Sequence, residues 1–215
     1  MSSERYSRQK DIVPEERINQ CQATVIGVGA IGRQVALQLA AIGIPILQLV
    51  DFDSVEESNL ASQGYLQDDL TRPKVDATRE LCRRINSSVE VKVDFDRFNR
   101  RMKIGNSVFC CVDSIQTRKL IWESVKDKVS FFTDGRMTAE VLRVLTASDT
   151  QSRDYYPTTL FDPEQAFAGT CTAKATIYCA NIAAGLMLSQ FTRYLRLLPV
   201  DIDIRLNLLA MELVV

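Results

Sequence analysis

The chain has 215 residues, of which 46% are hydrophobic and 25% charged, a composition that indicates a globular protein and excludes an intrinsically disordered one. Its 26 basic and 27 acidic residues leave a net charge of −1, which provides no general attraction to nucleic acid or to an anionic membrane. The absence of histidine excludes every mechanism that needs an imidazole, including Ser-His-Asp hydrolysis and histidine-ligated zinc.

The first third of the chain predicts a β-α-β unit behind a short appendage. Residues 1–22 are mostly polar, and Pro14 followed by two glutamates is typical of a helix start, so we expect an N-terminal helical segment there. The next three elements are a strand, a helix and a strand, at Ala23 to Gly29, Ile31 to Ile42 and Ile44 to Val50. This succession implies parallel strands joined by a right-handed crossover.

The same alternation continues to about residue 147. A helix, two strands, a helix and two strands are expected at Lys74 to Ile85, Val89 to Phe95, Ser107 to Val112, Ile115 to Val125, Ser130 to Thr133 and Val141 to Ala147. Residues 148–172 are irregular and are expected to form a functional crossover loop. A long apolar helix over about 173–198 and a terminal strand, Ile204 to Val214, follow. We therefore predict one doubly wound, Rossmann-like α/β domain over residues 1–215, with a mainly parallel sheet.

The cysteines and apolar runs bear on location and metals. No two of the six cysteines have the CxxC spacing of a structural zinc site, so no zinc is expected. The chain opens on polar residues, and we expect a cytoplasmic protein with free thiols. The longest uncharged apolar run, Ala175 to Phe191, is too short and too polar to span a membrane and is better explained as a buried helix. Cys110, Cys111 and Cys179 are expected in the core.

The strongest local motif is Gly27-Val28-Gly29-Ala30-Ile31-Gly32, between the first strand and its helix. The first glycine permits a tight turn, the second lets backbone approach a phosphate, and the third lets helix and strand pack closely. The helix start adds free N–H groups for an anion. Asp51 ends the next strand, where a carboxylate accepts hydrogen bonds from ribose hydroxyls. The motif predicts a nucleotide site; the alternative is a turn whose glycines serve packing alone.

Six segments in a fixed order carry a resemblance to a known family. They are Arg5-Tyr6-Ser7-Arg8-Gln9, the glycine turn, Asp51-Phe52-Asp53, Ser58-Asn59-Leu60, Pro73-Lys74 with Ala77, and Cys111-Val112-Asp113-Ser114. Over about residues 1–190 the chain resembles the ThiF/MoeB/HesA family of the ubiquitin-activating superfamily. The resemblance implies adenylation of a C-terminal carboxylate with ATP and Mg²⁺ on a homodimer. The implied partner is a small ubiquitin-like or sulfur-carrier protein ending in Gly-Gly, or a peptide.

The resemblance also implies individual roles. The nucleotide cradle would consist of Gly27, Gly29, Ala30 and Gly32, with Asp53, Ser62 and Ser114 beside it. Lys74 and Asn59 would contact the phosphates, Asp51 the ribose, and Asp113 the Mg²⁺. Arg8 would enter the neighbouring subunit's site, and Cys171 would accept the activated acyl group.

Simpler roles remain open for these residues. Asp51 and Asp113 could cap turns, Lys74 could be a solvated first-turn residue, Arg8 a surface residue, and Cys171 a packed one.

One departure from the family concerns charge. Ser62 stands where the family has an arginine, and Arg72 and Arg136 are the candidates to compensate. Two other functions therefore stay open: a nucleotide-holding scaffold subunit without efficient chemistry, and an NAD(P)-dependent oxidoreductase. The oxidoreductase hypothesis is disfavoured because it leaves Asn59 and Lys74 without a role. The balanced charge provides no binding surface for a polyanion, so no nucleic-acid partner is expected.

Overall fold

The computed structural model describes residues 4–161 and 175–215, in which strands and helices alternate. The strands are β1 (Gln22–Ile26), β2 (Ile46–Val50), β3 (Glu90–Asp94), β4 (Ser107–Cys110), β5 (Phe131–Thr138), β6 (Val141–Ala147), β7 (Asp203–Asn207) and β8 (Glu212–Val214). The helices are α1 (Glu15–Ile18), α2 (Ala30–Ile42), α3 (Glu57–Gln63), α4 (Lys74–Ile85), α5 (Ile115–Val125), α6 (Thr150–Tyr155) and α7 (Ile177–Leu195). Short 3₁₀ turns occupy Glu4–Tyr6, Gln67–Asp69 and Tyr156–Thr159.

The strands described form one sheet in the order β3-β2-β1-β4-β5-β6-β7-β8. The pairs from β3 to β5 are parallel, and those from β5 to β8 are antiparallel. The chain builds outwards from β1 in both directions, so the strand order reverses between β1 and β4. In sheets of this kind ligands bind outside the carboxyl ends of the strands at that reversal. The predicted doubly wound α/β fold is confirmed.

Helices cover both faces of the sheet. One core contains side chains of α2, α4 and α7 together with strand residues such as Phe109. The other core contains the opposite strand residues, such as Val108, together with Trp122 of α5 and Tyr156. Val108 and Phe109 enter different cores because successive side chains of a strand point to opposite faces. Burial of the central strands on both faces explains why their sequences are continuous apolar runs rather than alternating ones.

The C-terminal strand predicted for Ile204 to Val214 is present as a hairpin of β7 and β8. The side chain of Asn207 accepts hydrogen bonds from the N–H groups of Leu209 and Ala210, and Met211 adopts a positive φ of 54°. Asparagine commonly bonds to backbone N–H groups in this way and so favours a turn. The polar cap therefore interrupts an otherwise strand-like sequence.

Two further segments contain different local structure from that expected. In the N-terminal segment, where a helical segment was expected over residues 1–22, the α-helix α1 covers only Glu15–Ile18. The region predicted as an irregular loop begins with α6, because Asp149 accepts a hydrogen bond from the Ser152 N–H at 2.8 Å and caps the helix. Its later part, residues 162–174, lies outside the described residues.

The long apolar helix α7 packs in the core through Ala183, Met187 and Phe191. None of the helices described combines the length and the apolar character needed to cross a membrane. The apolar character of this segment is explained by its position against the sheet.

Asp203 joins the antiparallel strands through several charged hydrogen bonds. It accepts from Arg143 at 2.8 and 2.7 Å, from Arg205 at 2.8 Å and from the Tyr155 hydroxyl at 2.8 Å. Burial alone raises the pKa of this carboxyl group, but the three donors outweigh burial and hold the pKa of Asp203 well below its usual range. An acid with a lowered pKa contributes stability above its unfolded-state pKa of about 4 and loses that contribution as the pH falls.

We expect Asp203→Asn to lower the free energy of unfolding by about 2 kcal/mol at neutral pH, because the charge-assisted bonds are lost. The difference from wild type should shrink as the pH falls below about 4, because the Asp203 carboxyl group takes up a proton there in the unfolded chain while the native carboxylate stays ionised to lower pH. Urea denaturation across this pH range measures the effect, with the exposed Asp154→Asn variant as control. A difference that does not change with pH would contradict the assignment.

Candidate nucleotide site

The predicted site residues converge where the strand order reverses. The glycine turn follows β1, Asp51 and Asp53 follow β2, and Asp113 and Ser114 follow β4. Because these strands are parallel neighbours, their carboxyl ends lie at one edge of the sheet. The fold therefore places at one edge residues that are more than eighty positions apart between Gly27 and Asp113.

The glycines of the turn have different physical roles. Gly27 has a φ of +86°, and a Cβ there would lie 2.8 Å from the Cys111 carbonyl oxygen. A Cβ at Gly32 would overlap the Gly27 carbonyl oxygen. At Gly29 the nearest atom to an added Cβ is Gln63 Oε1, at 3.8 Å. Gly27 and Gly32 are thus required by packing, whereas Gly29 leaves the approach to the turn open.

Helix α2 begins directly behind Gly29. Gly29 is the N-cap residue and has no side chain with which to satisfy the first N–H groups of the helix. Unsatisfied N–H groups and the positive end of the helix dipole favour an anion at this position. The open face at Gly29 and the uncapped helix start together form a surface suited to an anion, which we call the phosphate cradle.

Asp51 connects the glycine turn to the end of β2. Its Oδ2 accepts the Val28 N–H at 2.5 Å, and its Oδ1 accepts the Asp53 N–H at 2.8 Å. Burial raises the pKa of Asp51 in spite of these two bonds and the nearby Lys74. Asp51 therefore caps two turns, the simpler role considered for it. A carboxylate has about four acceptor positions, so the two bonds still leave room for a ribose hydroxyl.

Lys74 is the predicted phosphate-binding cation, and it is buried in the first turn of α4. Its ammonium group lies 3.2 Å from Asp53 Oδ2, and the Asp53 side chain is about half exposed. A lysine at a helix start opposes the helix dipole, so the Asp53 carboxylate compensates for an unfavourable position. An entering phosphate would take the place of Asp53 as the partner of Lys74.

Asn59 and Ser62 of α3 bond mainly within their own helix. Asn59 Oδ1 accepts the Glu56 N–H at 3.0 Å, which closes a capping box at the helix start. The Ser62 hydroxyl donates to the Ser58 carbonyl at 2.9 Å. The structure thus provides a local structural role for both side chains.

Gln63 lies beside the glycine turn and was not among the residues predicted from the sequence. Its Oε1 is buried without a hydrogen-bond donor in the described part of the chain, and it is the atom that faces Gly29. A buried acceptor without a donor is costly, so a donor from water or from a ligand would be bound favourably at this atom. The signal that could have identified it was its position directly after Ser62, the residue that stands where the family has an arginine.

Asp113 is exposed after β4, and its carboxylate has no ion-pair partner within residues 4–161 and 175–215. Ser114 caps α5 by accepting the Thr117 N–H at 3.3 Å. No cluster of three or more carboxylate or thiol ligands exists among the residues described. One free carboxylate nevertheless fits Mg²⁺, which commonly binds through one or two carboxylates plus phosphate oxygens and water.

A buried charge network, also missed from sequence, supports the Asp113 turn. The Asp134 carboxylate is completely buried and pairs with Arg118, with Arg136 Nε at 2.8 Å and with the Tyr156 hydroxyl at 2.9 Å. Arg118 also donates to the carbonyl of Val112, the residue before Asp113. Buried charges are retained where partners satisfy them. The network holds the backbone that carries Asp113 against β5.

Neither arginine proposed to compensate for Ser62 is a free cation. Arg72 pairs with Asp69 at 3.1 Å and with Glu80 at 2.7 Å. Arg136, in addition to its bond with Asp134, donates to the carbonyl and hydroxyl oxygens of Thr159 at 2.9 and 3.0 Å. Both guanidinium groups are committed to structural contacts.

Arg8 and the cysteines complete the predicted set. Arg8 is exposed, in a segment attached to the domain by Gln9, which donates to the Ile42 carbonyl at 2.8 Å.

Cys171 lies outside the described residues. Cys110 and Cys179 are buried as predicted, and Cys111 is half-buried. Burial raises the pKa of the Cys110 and Cys111 thiols, which makes them poor nucleophiles.

Comparisons with known proteins give a matching family model and similar sequences. The model of the ThiF family matches residues 6–208. The chain is 30% identical over 141 residues to the sulfur carrier protein ThiS adenylyltransferase of Bacillus subtilis, covering 59% of this chain and 42% of that protein. It is 32% identical over 126 residues to the molybdopterin-synthase adenylyltransferase of Salmonella typhimurium, covering 53% of this chain and 50% of that protein. The chain thus spans half or less of the length of these relatives.

Solved structures show the same fold over nearly the whole chain. The crystal structure of PaaA has a TM-score of 0.81 at 22% identity and covers 98% of this chain and 72% of its own. Escherichia coli MccB, solved with ATP, has a TM-score of 0.76 at 16% identity and covers 99% of this chain and 71% of its own. At these identities the likeness establishes the fold.

Proposed function

The chain belongs to the ThiF family, and from that premise and the geometry of the site we propose that it adenylates a carboxylate with MgATP. The observation that carries the proposal is the convergence of an open glycine cradle, Asp51, Lys74 and Asp113 at one edge of the sheet. The names of the curated relatives, both adenylyltransferases, support the same reaction class.

The proposed reaction suits a chain without histidine. A carboxylate oxygen of the substrate attacks the α-phosphorus of ATP, a new oxygen–phosphorus bond forms, and the bond to the bridging oxygen breaks as pyrophosphate leaves. The attacking carboxylate is already ionised at neutral pH, so no general base has to remove a proton. The site must instead hold attacker and leaving group in line and neutralise the phosphates.

The residues of the chain divide this work. The first N–H groups of α2, behind Gly29, bind phosphate oxygens, and Lys74 exchanges Asp53 for a phosphate. Asp51 accepts from the ribose while it holds the glycine turn in place. Asp113 would hold Mg²⁺, which supplies positive charge for the leaving pyrophosphate.

We propose that the acyl substrate is the C-terminal carboxylate of a small ubiquitin-like or sulfur-carrier protein ending in Gly-Gly, or of a peptide. Relatives named for ThiS adenylation and MccB solved with MccA support this kind of partner.

We also propose a homodimer in which Arg8 enters the neighbouring subunit's site, since its exposed guanidinium has no ion-pair partner in the described portion of its own chain.

We expect isothermal titration calorimetry to show that the protein binds MgATP and does not bind NAD. Asp51→Ala should weaken MgATP binding at least about tenfold, because both the ribose and the Val28 N–H lose their acceptor. The exposed Asp68→Ala variant serves as a control for the loss of a negative charge. Preferential binding of NAD would overturn the proposal in favour of an oxidoreductase.

Exchange of labelled pyrophosphate into ATP tests the chemistry itself. The probe is a peptide ending in Gly-Gly with a free carboxylate, and the matched control is the same peptide with an amidated C-terminus. Exchange that depends on the free carboxylate supports adenylation of a C-terminus. Tight MgATP binding without exchange for this peptide or for a ThiS-type carrier protein would favour the scaffold hypothesis.

A further inference from the structure

Arg33 is a buried cation that has no ionic partner among the described residues, and it lies close to the proposed nucleotide site. It lies in α2, its exposed fraction is 2%, and its Nε and Nη2 atoms have no hydrogen-bond acceptor among the residues described. Burial lowers the pKa of Arg33. Asp69 is the carboxylate whose charge acts on this guanidinium group, but it is already bonded to Arg72 and to the Leu66 N–H. An unpaired charge in the interior is unfavourable for folding.

The position of Arg33 relates it to the phosphate cradle. It is four residues, about one helical turn, after Gly29, so both lie on the same face of α2, and helical side chains lean towards the N-terminus. Its Nη1 atom is 3.6 Å from the point where a Cβ on Gly64 would lie. Gly64 directly follows Gln63, whose Oε1 faces Gly29. The guanidinium therefore lies beside the end of α3, next to the segment that carries Ser62.

Tyr65 holds this guanidinium near the turn without neutralising it. The Arg33 Cζ atom lies 4.6 Å from the centre of the Tyr65 ring, and the Tyr65 hydroxyl donates to the Val28 carbonyl at 2.6 Å. Burial raises the pKa of Tyr65, so the phenol is neutral. A neutral ring orients the guanidinium plane by a cation–π contact and provides no counter-charge.

We propose that Arg33 supplies to the nucleotide's β- and γ-phosphates the positive charge that an arginine at position 62 would otherwise supply. This inference rests on the proposed function, and it identifies Arg33 as the residue that supplies the positive charge missing at Ser62. Arg72 and Arg136 are bonded to acids, whereas Nε and Nη2 of Arg33 have no acceptor within residues 4–161 and 175–215 and can donate to a phosphate. The triphosphate then provides an anionic partner for this guanidinium group.

The proposal predicts opposite effects on stability and on binding. Arg33→Met retains most of the side-chain volume and removes the charge, so the ligand-free protein should melt at a higher temperature than wild type. Its affinity for MgATP should fall about 10- to 100-fold, with little change for AMP, which has no β- or γ-phosphate. Arg83→Met, which removes an exposed cation from α4, is the matched control and should alter neither.

A second-site variant separates phosphate binding from a packing role. Arg33→Met with Ser62→Arg should regain most of the MgATP affinity, because the charge returns from the neighbouring position. Calorimetry and thermal melting test this inference. It is overturned if Arg33→Met binds MgATP with wild-type affinity. It is also overturned if Arg33→Met melts at a lower temperature than wild type and the added Ser62→Arg restores no MgATP affinity. Absence of MgATP binding by wild type would overturn the proposed function together with this inference, so the two failures are distinguishable.

Discussion

Gly29→Ala is expected to yield a folded protein that no longer binds MgATP tightly, whereas Gly32→Ala is expected to prevent stable folding. A methyl group on Gly29 meets no atom closer than 3.8 Å, yet it fills the space through which a phosphate approaches the start of α2. We expect the affinity for MgATP to fall about 100-fold, equivalent to about 3 kcal/mol.

The methyl group of Gly32→Ala would overlap the Gly27 carbonyl oxygen and lie 3.1 Å from the Cys111 Cβ. Gly27 cannot move away, because its N–H is bonded to the Val50 carbonyl at 2.9 Å. The backbone of Cys111 also packs closely against Gly27, so that a Cβ there would lie 2.8 Å from the Cys111 carbonyl oxygen. The overlap would cost about 3 kcal/mol or more, a large part of the stability of a domain.

Thermal unfolding and calorimetry with MgATP measure both outcomes. Gly185→Ala in α7 is the control, because a Cβ there meets no atom within 4 Å and alanine is favoured over glycine in a helix. That variant should be as stable as wild type or more so. Wild-type affinity in Gly29→Ala, or wild-type stability in Gly32→Ala, would show that the glycines do not divide their roles as described.

Lys74→Met is expected to abolish most of the pyrophosphate exchange while the fold persists. The substitution keeps the buried volume, and the half-exposed Asp53 carboxylate that loses its partner can be solvated. Loss of a cation that meets charge developing on the phosphates lowers the rate by about 100- to 1000-fold. Exchange is measured with the Gly-Gly peptide, and Lys126→Met, which breaks an exposed pair with Glu123, is the control. An unchanged exchange rate would remove Lys74 from the site.

Lys74→Met also tests the shared site. If Arg8 serves the neighbouring subunit, mixed dimers of Arg8→Ala and Lys74→Met chains contain one site with both defects and one with neither. Exchange should return on mixing, at about one competent site per mixed dimer. Subunit exchange without recovery of activity would contradict a shared site.

Much of the site was predictable from the sequence because its residues follow strand ends. The glycine turn, Asp51 and Asp113 could be assigned to one edge of the sheet once parallel strands were predicted, since carboxyl ends of parallel strands lie together. The different roles of Gly29 and Gly32 could not be assigned in this way. They depend on which atoms of Cys111 and Gln63, distant in sequence, occupy the space beside each glycine.

Sequence by itself determined the fold class and the order of the strands up to β6, because apolar periodicity and turn residues act over a few neighbouring positions. It did not predict the short helix α3. The family followed from the six motif segments in their fixed order. Only the tertiary structure decided which charges are satisfied. Asp134 is neutralised by Arg118 and Arg136, whereas Arg33 packs on Tyr65 and has no acid bonded to it in the described part of the chain. The free energy of a buried charge depends on the partners that packing brings within a few ångströms, and the local sequence does not specify those partners.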